Sequence, residues 1–132
     1  MRQGVFHIGA SAYGIEVLCE NLLVADDVLY MLVSVRNRSA MSYAVSEPRF
    51  VVESARFSRR RGLQVERALF PREVRALGTV PPGGYGRMVY AFDKLALVRG
   101  QVLRVYLYEA GGARNMVLEV GRKDLEGVRR VE

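Results

Sequence analysis

The sequence predicts an all-β fold in which two antiparallel sheets pack as a sandwich, and three observations carry that expectation. Apolar residues recur at every second position in short segments. Those segments are closely spaced and separated by Gly, Pro, Asp and Asn. No long stretch shows helical periodicity, while half of the 132 residues are apolar, which is enough for one domain with a core.

Residues 15–24 read as the first strand, and Asp26-Asp27 as a tight connection to the second, 28–36. In 28–36, Leu29, Met31, Val33 and Val35 share one face, and Tyr30, Leu32, Ser34 and Arg36 share the other. The second face is itself half apolar, which predicts a central strand partly covered on both sides. Asn37-Arg38-Ser39 closes this hairpin, and Pro48 leads into a short strand at 49–53 with Phe50 and Val52 inward. A basic connection follows, then a weaker strand at 64–69 closed by Pro71.

Pro81-Pro82-Gly83-Gly84 excludes both helix and central strand, because proline has no N–H to donate and glycine favours unusual dihedrals. Strands resume at 85–92, with Met88, Tyr90 and Phe92 on one face, and at 102–109, with Leu103, Val105 and Leu107 inward. A turn at 110–113 returns the chain to 114–120, with Met116, Leu118 and Val120 inward. About seven strands at this density fit an immunoglobulin-like sandwich, with a closed barrel as the alternative. Residues 1–14 read as a flexible leader, 15–122 as the sandwich domain, and 123–132 as a short tail or helical turn.

The same residues exclude most chemistry. Cys19 is the only cysteine, so an intrachain disulfide and a thiolate zinc cluster are excluded, and it reads as a small apolar strand residue. A histidine-based triad depends on His7 alone, and a multi-histidine metal site is impossible. The carboxylates stand mostly singly, Asp26-Asp27 reads as a turn rather than calcium ligands, and Gly83-Gly84-Tyr85-Gly86 lacks the Lys-Ser/Thr of a phosphate loop. The expectation is a non-enzyme without metal or cofactor. No apolar run reaches the roughly 20 residues of a membrane-spanning helix, and residues 1–7 hold no apolar stretch of the length a secretory signal is expected to have.

Binding has two candidate surfaces. The net charge of +6 is carried mainly by arginine, since Lys94 and Lys123 are the only lysines. Arg59-Arg60-Arg61, extended by Arg56 and Arg67, forms a basic connection suited to an acidic partner. Arg104, Tyr106 and Tyr108 form an outward stripe of the residue types enriched at protein interfaces.

The order of these elements resembles the conjugative-transposon TraN family, proteins of the DNA-transfer apparatus of Gram-negative gut-type bacteria. The likeness runs over about 22–125 through Asp27-Val28-Leu29-Tyr30, Val35-Arg36-Asn37-Arg38-Ser39, Ser42-Tyr43 and Pro48-Arg49-Phe50-Val51-Val52. It continues through Arg59-Arg60-Arg61, Gln64-Val65-Glu66, Phe70-Pro71, Val89-Tyr90-Ala91-Phe92-Asp93-Lys94 and Tyr108-Glu109-Ala110-Gly111-Gly112-Ala113-Arg114. The family's Gly-Gly-Arg stands here as Gly112-Ala113-Arg114 after Gly111, which leaves the turn geometry for the structure to decide.

The resemblance implies the C-terminal β-domain of a longer, exported protein at the periplasmic side of the outer membrane. It implies a structural part of the transfer machine, similar in role to outer-membrane core components of type IV secretion, with other apparatus subunits as partners. It supplies no catalytic residues. A glycan- or nucleic-acid-binding module is the alternative, on the strength of the positive charge and the exposed tyrosines.

Overall fold

The computed structural model describes residues 8–55, 65–75, 77–93 and 95–130. In chain order its strands are β1 (Gly9–Ala12), β2 (Ile15–Ala25), β3 (Val28–Asn37), β4 (Tyr43–Ala44), β5 (Arg49–Ser54) and β6 (Val65–Leu69). They continue as β7 (Glu73–Arg75), β8 (Thr79–Val80), β9 (Tyr85–Asp93), β10 (Gln101–Leu107), β11 (Met116–Gly121) and β12 (Arg129–Arg130), with one helix, α1 (Arg122–Glu126). The seven expected segments correspond to β2, β3, β5, β6, β9, β10 and β11. The five others have two to four residues each, too few for an alternating pattern to register.

One sheet runs β1-β2-β3-β9-β7, with β12 parallel to β2; the other runs β11-β10-β5-β6, and β4 pairs with β8 in a separate ribbon. The alternation selects the faces that meet. Met31, Val33 and Val35 of β3 and Met88, Tyr90 and Phe92 of β9 join Phe50, Leu103, Val105, Leu118 and Val120 of the second sheet in one buried cluster. Phe50 locks the layers together, its ring edge-on to Tyr90 at 5.0 Å and to Phe92 at 4.8 Å between centroids. Each such contact adds about 0.5–1.5 kcal/mol beyond area burial. The antiparallel sandwich is therefore the observed architecture. An immunoglobulin-like order is a finer statement than this topology carries, since the sheets hold six, four and two strands.

Two turns explain how the sheets are punctuated. Asp26 and Asp27 both have positive φ, 50° and 62°, the signature of a two-residue I′ hairpin turn between β2 and β3. At the proline-glycine break, the Gly84 N–H donates to the Pro81 carbonyl at 2.8 Å, with Pro82 and Gly83 (φ 75°) at the centre, as in a type II turn. A Cβ on Gly84 would lie 2.8 Å from that same carbonyl oxygen, so the second glycine is a steric requirement.

Two boundaries differ from expectation. The part of the 1–14 leader that is described is structured: Ile8 is buried at 1 % exposure, and β1 pairs with β2 from Gly9↔Leu18 to Ala12↔Ile15. Tyr13 and Gly14, both at positive φ, supply the turn that folds it back. Small residues in Gly-Ala-Ser-Ala gave no apolar alternation to mark this strand. At the other end, the helical turn expected within 123–132 is α1, shifted one residue earlier, and the chain then continues into β12. Among the described residues, no helix is long and apolar enough to cross a membrane.

Candidate interaction surface

The predicted stripe on β10 faces outward, and the structure adds a residue that the sequence left unremarked. Glu53 alternates with inward Phe50 and Val52, so it projects from the outer face of its sheet, yet it is only 1 % exposed. Arg104 Nη1 donates to its Oε2 at 3.2 Å, and the Tyr106 hydroxyl donates to its Oε1 at 2.5 Å. Arg104 also bonds Glu119, through Nε at 3.2 Å and Nη2 at 3.1 Å, and the Ser54 carbonyl.

Tyr106 stands opposite Arg49 in register, four residues from Glu53. At about 3.3 Å per residue, its side chain must reach along the strand direction to meet that carboxylate. Val51, on the same outward face and opposite Arg104, is 2 % exposed. Burial, reinforced by the bond to Glu53 and its charge, pushes the Tyr106 phenol up to about 12. Burial also works against the Arg104 charge, but the bonds to Glu53 and Glu119 outweigh it and hold the guanidinium above its ordinary value. The result is an internally paired Arg–Tyr–Glu plate. Tyr108, just past the strand end, is 36 % exposed, and Val117 on the neighbouring β11 is 44 % exposed.

Arg67 is exposed but does not join the plate. Its register partner is Val52, an inward position, so it emerges at the β6 end of the sheet on the other side. The remaining basic residues of the predicted surface, Arg56, Arg59, Arg60 and Arg61, lie outside the described residues.

A second cluster gathers residues that are far apart in the chain at one pole of the sandwich. Asn37, fully buried, donates from Nδ2 to the Met41 carbonyl (2.8 Å) and the Val80 carbonyl (3.0 Å). Its Oδ1 accepts from the Ser39 N–H and hydroxyl. Arg114 forks onto Glu109, with Nε to Oε1 at 3.0 Å and Nη2 to Oε2 at 2.6 Å, and donates to the Ser39 hydroxyl and the Ser42 carbonyl.

The Arg114 guanidinium lies 5.2 Å from the Tyr43 ring centre, and the Tyr43 hydroxyl donates to the Arg114 carbonyl. The bonds from Arg114 hold the Glu109 carboxyl below its ordinary range, and the Glu109 bonds hold Arg114 above its own. The turn geometry left open by Gly112-Ala113-Arg114 is thus settled. Gly111 takes the positive φ of 71°, Gly112 leaves room for the Glu109 carboxylate, and Ala113 is accommodated before Arg114 turns back. These polar groups are spent on one another, so the pole is a fastener for three loops.

The third feature is apolar. A groove of about 290 Å³ is lined by Pro48, Phe50, Pro71, Leu77, Met88 and Tyr90 among others, with Val74 of β7 in its wall. Val74 is 49 % exposed, and Phe70, next to Pro71 in the chain, is 85 % exposed. Among the described residues, no group of three or more His, Cys, Asp or Glu is placed to hold a metal ion.

Residues 1–130 match the model of a family described as a domain of unknown function (DUF4138), and the chain belongs to that family. A search of curated proteins returned no match.

Proposed function

Starting from membership of that family, we propose that this chain is a non-catalytic assembly module, a structural subunit of a bacterial DNA-transfer apparatus at the periplasmic side of the outer membrane. The observation that carries the assembly part is the apolar groove. Val74 in its wall and Phe70, next to Pro71 in the chain, stand exposed, surface that a protein partner can cover. The conjugation part rests on the resemblance to the TraN family.

Deletion of the gene in a donor strain tests the reading, with transfer frequency and co-purification of apparatus subunits as readouts. The expected result is loss of transfer, restored by the wild-type chain; unchanged transfer sinks the proposal. Charge reversal of Arg59, Arg60 and Arg61 tests the basic connection separately, with weakened co-purification expected.

One observation favours a ligand-binding module instead. Arg36 and Arg87 both approach the Tyr85 ring, their guanidinium carbons 5.2 and 5.8 Å from its centre. Glu20, however, accepts from both the Tyr85 hydroxyl and Arg87, which offsets the charge that a phosphate backbone seeks. Steep salt-dependent retention on single-stranded DNA would reverse that preference.

A further inference from the structure

We propose that β7 is a self-pairing edge through which two copies of this chain join, antiparallel about Val74. β7 ends its sheet, with β9 on one side and no strand on the other among the described residues. All three of its residues, Glu73, Val74 and Arg75, are exposed. Alternation places Glu73 and Arg75 on one face of the sheet and Val74 on the other. Glu73 and Arg75 take no part in the ion pairs formed among the described residues.

The order Glu-Val-Arg is self-complementary. A two-fold axis at Val74 sets Glu73 of each copy directly opposite Arg75 of the other, on the same face and at cross-strand distance. Both charge pairs form at once, and the two valines meet on the inner side. Val74 lines the apolar groove, so pairing covers the groove mouth as well as the strand. Phe70, 85 % exposed, lies only three residues before β7 and is drawn toward the same interface.

The inference goes beyond the proposed function and is measured on the purified chain, without any transfer machinery, so the two can fail separately. Sedimentation equilibrium of the wild type is expected to show a concentration-dependent dimer, weakened by salt. Glu73→Arg alone and Arg75→Glu alone each place like charges opposite one another twice, and each is expected to weaken the dimer about tenfold. The double variant Glu73→Arg/Arg75→Glu restores complementarity and is expected to restore the dimer. Because the altered side chains are exposed, far-ultraviolet circular dichroism is expected to be unchanged throughout. A wild type that stays monomeric at its highest soluble concentration overturns the proposal. So do single variants that dimerise normally, or a double variant that does not recover.

Discussion

Arg104→Met isolates the energetics of the plate on the outer face of β5 and β10. Glu53 is 1 % exposed and, among the described residues, has two side-chain donors, Arg104 and Tyr106. Methionine keeps most of the volume of the arginine stem but removes the charge, leaving a buried carboxylate with only a phenol to satisfy it. Breaking a buried ion pair from one side costs about 3–5 kcal/mol. The Arg104 side chain is 18 % exposed, so water reaches part of the site, and the lower end, about 3 kcal/mol, is expected.

A domain of this length unfolds with an entropy of about 0.28 kcal/mol/K, so the melting temperature should fall by about 10 °C. Glu53→Gln added to Arg104→Met removes the stranded charge and should recover most of that loss. Urea unfolding of the four proteins of the cycle measures the coupling, with m-values checking that compactness is unchanged. A loss below about 1 kcal/mol in Arg104→Met would refute the reasoning. A double variant as unstable as the sum of the singles would refute it equally.

Three further outcomes follow from local geometry. Cys19 is fully buried, and that burial pushes its thiol up to about 12, so a thiol-reactive disulfide should label it only after denaturation. Labelling at native pH without unfolding would contradict its place in the core. Tyr106, raised by burial and by Glu53 to about 12, is more readily neutral in the folded state than in the unfolded one. Its contribution is therefore complete below about pH 10 and is lost as pH rises from there toward 12. Phenolate absorbance should lose one late-titrating group in Tyr106→Phe, while Tyr43 and Tyr90, whose phenols burial also raises, still titrate late. Finally, Asp27 holds a φ of 62°, a conformation that costs a non-glycine residue about 1–2 kcal/mol. After glycine's own entropy cost, Asp27→Gly should gain about 0.5–1 kcal/mol in chemical denaturation, and a loss would show that the aspartate side chain is needed.

What was legible in the sequence depended on how local the signal was. Alternation in 28–36 and 102–109 identified β3 and β10 and the faces they bury, because a strand's side-chain period is a property of neighbouring residues. In β2 the same signal was incomplete. The register shifts between Cys19 and Asn21, so Cys19 and Leu22 both face the core although they are three residues apart. Nothing local announces that bulge.

The outward placement of Arg104 and Tyr106 was equally readable, but their commitment to Glu53 was not. The pairing of β5 with β10, and its register, decides which carboxylate they meet. The strands β1 and β7 escaped for another reason. One is made of small residues and the other is three residues long, and both exist because a longer neighbour offers its edge.

By itself, then, the sequence determined an all-β chain of alternating strands, the core-facing residues of β3, β9, β10 and β11, and the turns at Asp26-Asp27 and Pro81–Gly84. These follow from side-chain period and backbone sterics, which act within a few residues. Only the tertiary structure decided that Glu53 is buried under Arg104 and Tyr106, that Asn37, Tyr43, Glu109 and Arg114 close one pole, and that β7 ends its sheet among the described residues. Those arrangements depend on register and layer packing between residues tens of positions apart, where a shift of one residue exchanges the inner and outer faces.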